Sequence, residues 1–280
     1  MNDPSNDESP ILAGGALELL FEASDLPKLD LPKPLFEAYG GGLGFARPCV
    51  VANFVSSVDG VVALPVDVES GQVVSGGSDA DHFVMGLLRA CADVVMVGAG
   101  TYRKAARDLF HAEAIYPAAA PWYAALRRRL GLPERPRFVL VTASGAVDPS
   151  GPALEGGIIV TTTRGQAALG DRVSSQTRIV ALSGDSLRLA EVLALLRAGG
   201  AGMVLTEGGP SLFAELVRGS LVDELFVTTS PALLGRFADD GRKSLAQGFD
   251  LSRTPLTLAS VRRHGSHLFS RYRIAKTEPR

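Results

Sequence analysis

Short apolar runs alternate with amphipathic ones from residue 49 onward, and this alternation constrains the fold more than any other feature. CVVANFV (49–55), DVVMVG (93–98), RFVLVT (137–142), GIIVTT (157–162), GMVLTE (202–207) and DELFVTTSP (223–231) read as strands. Between them, DADHFVMGLLRACA (79–92) carries Phe83, Val84, Leu87, Leu88 and Cys91 at helical spacing, and SLRLAEVLALLRAG (186–199) is amphipathic with a glycine stop. PWYAALRRRL (121–130) and SLFAELVRG (211–219) also read as helices. Strands alternating with helices predict an α/β fold, a mostly parallel central sheet flanked by helices. LTLASVRR and HLFSRYRI, around HGS, predict a closing antiparallel hairpin.

The polar, acidic residues 1–10 are expected to form a disordered tail, residues 11–23 a short helix, and the proline- and glycine-rich 24–48 an extended arm. A single domain would then occupy 49–280. A hydrophobic content of 46% supports a sizeable core. The net charge of −2, with no basic stripe, argues against a nucleic-acid partner, and Arg127–Arg129 read as a solvated helix end. The N-terminus lacks the pattern of a signal peptide, and no run reaches the roughly 18 apolar residues of a membrane span. A soluble, cytoplasmic protein is expected. Cys49 and Cys91 belong to no C-x-x-C, and the H-x-x-H at 264–267 lacks an evident third ligand, so neither a disulfide nor a metal site is expected.

In such sheets ligands bind beyond the carboxyl ends of the strands, and three strand ends carry unusual residues. NFVSSVDG (53–60) runs into two serines and Asp-Gly, which is also a common turn dipeptide. VGAGTYR (97–103) offers glycines that let backbone amides approach a phosphate, with the Thr101 hydroxyl beside them. Arg103 stands where a dinucleotide fingerprint would have its third glycine. TEGGPSL (206–212) puts Glu207 and two glycines ahead of Pro210, a residue suited to the first helical turn. Glu207 either caps that helix or faces a donor-rich heterocycle, while the helix start suits an anion.

Together these stretches resemble one family, the C-terminal reductase domain of the bifunctional riboflavin-biosynthesis deaminase/reductase, which has a dihydrofolate-reductase-like fold. The resemblance rests on "SSVDG", "LLRACADVVMVGAGT" and "TEGGPSLFAELVRGSLVDELFVTTSPALLG", in order and at the family's spacing across residues 49–235. It implies NADPH-dependent hydride transfer to a C=N of a pyrimidine ribosylamine phosphate, a small heterocyclic substrate, and a homodimer. By the same resemblance Gly98, Gly100, Thr101, Gly208, Gly209, Pro210, Ser211 and Leu212 would contact the dinucleotide. Asp59 and Glu207 would hold the substrate ring or deliver a proton, a task suited to a protonated carboxyl in a dry pocket. Asn53, Ser57 and Arg89 would line the substrate side, with Arg89 near its phosphate. Ser144 and Thr163, with Arg164, are strand-end candidates for the 2′-phosphate.

The chain also departs from the family. It has no H-x-E with P-C-x-x-C, which excludes zinc deamination. Asn53 occupies a place commonly held by lysine, and Ala105 one commonly held by aspartate. These changes fall on the substrate side and leave two alternatives to the ribosylaminopyrimidine reductase: a dihydrofolate or pteridine reductase, and a non-catalytic NADPH-binding protein.

Overall fold

The structure is a computed structural model and describes residues 11–65, 70–105, 107–237 and 240–276. The predicted tail, 1–10, lies outside them. The strands are β1 Glu18–Glu22, β2 Cys49–Ser57, β3 Val61–Ala63, β4 Val94–Gly98, β5 Arg137–Thr142, β6 Ile158–Thr162, β7 Arg178–Leu182, β8 Met203–Thr206, β9 Glu224–Ser230, β10 Lys243–Ser244, β11 Leu256–His264 and β12 His267–Ile274. The helices are α1 Lys33–Tyr39, α2 Ser70–Ser75, α3 Asp79–Cys91, α4 Ala99–Lys104, α5 Ala112–Ile115, α6 Ala120–Arg129, α7 Thr163–Leu169, α8 Leu189–Ala198 and α9 Pro210–Arg218.

Among the described residues, ten strands form one sheet in the order β1-β11-β12-β9-β2-β8-β4-β5-β6-β7, and β3 pairs with β10 in a small second sheet. The run from β9 to β7 is parallel, while β12, β11 and β1 extend it antiparallel. The predicted α/β architecture and closing hairpin are both present.

Alternation along each parallel strand feeds two cores. Val51, Val95, Val97, Leu205 and Phe226 face Phe83, Leu87 and Leu88 of α3, whereas Val50, Ala52, Met96 and Val204 face Val192 and Leu196 of α8 and Phe213 and Leu216 of α9. α3 begins where Ser78 Oγ accepts the Asp81 N–H at 3.3 Å, with Asp79 and Asp81 in its first turn. That is a side-chain cap plus acidic residues at the positive end of the helix dipole.

Three expectations are corrected, one being the extended arm over 24–48, which contains helix α1 with Leu35 and Tyr39 packed into the core. The predicted helix over 11–23 is instead strand β1, which pairs with the edge strand β11, while Leu12 and Leu17 insert into the α3-side core. Tertiary pairing overrides a modest helical pattern here. Arg127 is not solvated. It is 2% exposed, and its Nη1 donates to the carbonyls of Arg89, Ala90 and Ala92 while Nε donates to Pro133 O. The guanidinium thus satisfies carbonyls at the end of α3, which otherwise lack intrahelical partners. Arg128 and Arg129 remain exposed.

The N-terminal arm lies on its own sheet. Arg262 donates to Glu22 (2.6 Å) and to Tyr39 O (2.9 Å), and its guanidinium stacks 4.0 Å from the Tyr39 ring. Arg271 donates to Gly44 O and forms a fork with Glu224 at 2.6 and 2.9 Å, lying against Phe45 and Phe226. Planar guanidinium groups suit such combined stacking and bidentate pairing.

Candidate active site

The carboxyl ends of β8, β4, β5 and β6 form one edge, and the glycine loops meet there. Gly98 N–H donates to Gly208 O at 2.8 Å, and a Cβ on Gly98 would touch Leu212 at 3.5 Å. A Cβ on Gly209 would lie 3.1 Å from Thr101 Oγ1. The predicted residues of the two loops are therefore neighbours, although more than a hundred residues separate them in sequence.

The glycines at 208 and 209 now have a physical reason. Gly208 has φ +89°, and a Cβ there would meet the Phe54 ring at 2.8 Å, so both backbone and packing demand glycine. Pro210 opens α9 behind Gly209, and no side chain caps that helix. Its first amides thus lack a side-chain acceptor, at an end that favours negative charge. Gly100 and Ser211 are exposed, and space is open around Gly100.

Farther along the same edge, Thr162 Oγ1 caps α7 by accepting the Gly165 N–H (3.0 Å) and donates to Ala143 O (2.7 Å). A Cβ on Gly145 would fall 2.2 Å from Gly165 O, and one on Gly165 would fall 2.0 Å from Thr161 Oγ1. Backbone contact between these glycines ties the loops after β5 and β6 together. Sequence reasoning passed over both, although the signal is visible in ASG and TTTRG. Ser144, Thr163 and Arg164 stand exposed on the joined loops.

The substrate-side residues behave differently. Asn53 and Ser57 are buried on β2, on the α3 side of the sheet. Ser57 Oγ accepts the Val61 N–H (2.9 Å) and donates to Asp59 (2.6 Å), so it braces the turn. Asp59 in turn accepts the backbone N–H groups of Leu234 (3.1 Å) and Gly235 (2.6 Å). The Ser57 hydroxyl and these amides hold its carboxyl down at about 2. The expectation of a protonated Asp59 in a dry pocket is thereby corrected: it is an ionised clamp joining SSVDG to PALLG, half-buried at the mouth of the sheet.

Glu207 does not cap α9. Its two oxygens accept from Arg89 Nε at 2.8 Å and Nη2 at 2.7 Å, and the two side chains are only 7% and 6% exposed. Arg89 also donates to His111 O and lies 5.3 Å from the Phe110 ring centroid. The guanidinium is thus engaged within the protein and anchors Glu207, instead of standing free for a substrate phosphate. Lys104 donates to Leu64 O and Ser70 Oγ, holding the chain after β3 against α4.

Two buried groups near this pair were not singled out from sequence, Asp81 and Thr228. Asp81 carries a visible signal in its place in the first turn of α3, but that position also suits an ordinary dipole-compensating acid. A cleft of about 740 Å³ lined by Arg137, Phe138, Arg178, Leu196 and others lies at the opposite, amino-terminal edge of the strands. No group of side chains able to hold a metal ion occurs among the described residues. No described helix is long and apolar enough to cross a membrane.

The RibD C-terminal domain family matches residues 48–269, and the chain belongs to that family. Among solved structures, a pyrimidine reductase-like protein from Corynebacterium diphtheriae is 21% identical, with 82% of this chain and 93% of that one covered and a TM-score of 0.62. RibD from Acinetobacter baumannii is 17% identical over 86% of this chain and 60% of its own, with a TM-score of 0.60. The riboflavin biosynthesis reductase Rib7 of Saccharomyces cerevisiae is 14% identical over 84% of this chain and 94% of its own, with a TM-score of 0.54. These likenesses establish a shared fold. A search of the curated proteins finds no match.

Proposed function

We propose that the protein is an NADPH-dependent reductase that transfers hydride to a C=N of a pyrimidine or pteridine substrate. The observation that carries this reading is the meeting of the 98–101 and 208–212 loops at an uncapped helix start, within a chain of the RibD C-terminal domain family. The residues present suit a dinucleotide. Gly98, Gly100 and Thr101 would lie along one side of its pyrophosphate, and Gly208, Gly209, Pro210, Ser211 and Leu212 along the other. Ser144 and Thr163, with Arg164 beside them, would meet the 2′-phosphate at the far end of the same edge. When bound, the dihydronicotinamide supplies the hydride.

The chain's own contribution is position and protons. Asp59 fixes the loop 232–235 against β2 at the mouth. Glu207, held by Arg89, presents its remaining lone pairs at the strand end as acceptors for ring N–H groups. Asn53 faces the same side and can offer both a donor and an acceptor.

A homodimer belongs to the same proposal. β1, β11 and β12 leave Leu19, Phe21, Leu258 and Leu268 between 37% and 46% exposed, and a second copy would cover them. Sedimentation of the purified protein tests that part.

Fluorescence titration with NADPH and with NADH tests the reductase reading. Tight NADPH binding with weak NADH binding is expected, followed by turnover on a panel of aminopyrimidine and dihydropteridine imines. Failure to bind either nucleotide would overturn the reading.

A further inference from the structure

The amino-terminal edge of the sheet carries chemistry that the candidate active site does not use. The starts of β4, β5, β6 and β7 line the cleft of about 740 Å³, a size usual for a site that takes a small molecule. Its lining mixes apolar and cationic side chains, and the register of the sheet places the two kinds together.

Arg137 opens β5 and Arg178 opens β7, with the start of β6 between them. Side chains alternate along a strand, so Arg137 shares a face with Val139, and Arg178 with Val180. Both valines belong to the core under α8, and Arg178 is in register with Ile158 of that same core. The two arginines therefore leave one face of the sheet, on either side of β6. Ile158, Val180, Leu195 and Leu196 give that face of the cleft its apolar lining. Strands two places apart lie about 9–10 Å from each other, so two long side chains can converge on one anion between them.

Both arginines are exposed, and neither guanidinium makes an ion pair or a hydrogen bond among the described residues. Arg137 Nη1 is 3.9 Å from where a Cβ on Gly199 would stand, at the end of α8, whose dipole favours a cation there. The other charged lining groups are engaged, with one exception. Arg135 pairs with Glu113 at 3.1 Å, and Asp93 accepts from Arg47 Nη1 at 3.0 Å and from the Met203 N–H at 2.7 Å. Glu155 is exposed and makes no ion pair among the described residues. Two unpaired cations against one unpaired carboxylate leave the cleft attractive to an anion. His111 also lines it, with Nε2 buried and without a hydrogen-bond partner, a further polar point for a ligand to meet.

We propose that this cleft is a second ligand site, which takes a small molecule with an apolar ring body and one anionic group, a carboxylate or a phosphate, held between Arg137 and Arg178. A guanidinium fork matches either group through two parallel hydrogen bonds, while the ring covers the apolar lining. The proposal does not depend on the reductase reading.

Calorimetric titration of the full chain with 1-naphthyl phosphate, 1-naphthoate and the neutral 1-naphthol tests it. At least one of the two anions should bind at least about tenfold more tightly than the naphthol, the scale of charge-assisted hydrogen bonds. Whichever anion binds better assigns the group. Arg137→Met/Arg178→Met should remove that preference while keeping the melting temperature and binding NADPH within about twofold of the wild type. Arg178→Met alone should weaken the anion severalfold, and it is the readout if the double variant does not fold. Saturating NADPH should leave the anion's affinity unchanged, because the glycine loops lie at the other end of the strands.

Equal binding of anions and naphthol, a preference that survives the double variant, or displacement of the anion by NADPH would each overturn the proposal. So would a cleft that binds no probe and whose double variant changes the sedimentation of the chain, which would make it an interface between copies. If the wild type binds no NADPH, the reductase reading falls, and the naphthyl titrations still decide this site.

Discussion

Glu207 raises a question that a single substitution cannot answer, because it is both the residue facing the strand end and the partner of a buried arginine. Removing Arg89 as Arg89→Met keeps most of the side-chain volume against Phe110 but deletes the forked bonds of 2.8 and 2.7 Å to Glu207. The carboxylate is then left with a side chain only 7% exposed and no counter-charge. Breaking a buried pair from one side costs about 3–5 kcal/mol. At about 2–4 °C per kcal/mol for a chain of this size, the melting temperature should fall by roughly 6–20 °C. Glu207→Gln should cost a comparable amount, since it strands the guanidinium. The double variant Arg89→Met/Glu207→Leu removes both charges and should recover most of the loss, because apolar replacement of a buried pair is often neutral or better. Arg263→Met serves as the control, since its pair with Glu18 is about half exposed and should be worth about 0–1 kcal/mol. Thermal unfolding reads stability, and nucleotide titration with turnover reads function. A recovered fold that still binds NADPH but is inactive gives Glu207 a substrate role, whereas recovered stability with full activity makes it a strut. A loss for Arg89→Met no larger than that of Arg263→Met would refute the premise that the pair is buried and tightly coupled.

The remaining predictions concern the loops and the core. Gly208→Ala puts a Cβ 2.8 Å from the Phe54 ring at φ +89°, so it should cost about 1–3 kcal/mol in urea unfolding and weaken NADPH binding. Gly100→Ala meets open space and should change stability by no more than about 0.5 kcal/mol, or raise it slightly. The depressed carboxyl of Asp59 contributes fully above the ordinary carboxylate value near 4 and loses its contribution as pH falls through about 2. Protection factors at Leu234 and Gly235, taken against the intrinsic exchange rate at each pH, should therefore fall on acidification across that window, and Asp59→Asn should show the same loss of protection at neutral pH. Burial pushes the Cys49 and Cys91 thiols up to about 12, so a thiol reagent at pH 8 should label neither until denaturant opens the core.

What the sequence revealed and what it concealed differ by the kind of group involved. Backbone requirements leave marks in the chain itself. A loop that approaches another backbone or ring must carry glycine, and so the close packing at VGAG and EGGP is legible in the chain itself. The strand and helix spans were legible for the same reason, since burial on one face or both writes a period into the residues. The helix expected over 11–23 failed because β1 is specified from outside, by the unpaired edge of β11 some 240 residues downstream.

Side-chain pairing leaves no local mark, and this is why the partners of Asp59, Arg89 and Glu207 were not legible. Arg89 meets Glu207 across 118 residues, and Asp59 meets the amides of Leu234 and Gly235 across 175 and 176. Nothing around Asp59 in the chain says that its charge is already satisfied. The same asymmetry separates the two halves of the site. The edge where the glycine segments meet is built from backbone, which any chain with this fold and these glycines can supply. The α3 face is built from side chains whose protonation depends on which partner the fold brings to each. A change such as lysine to Asn53 can therefore alter the side-chain chemistry of that face while the glycine-built edge stays as it was.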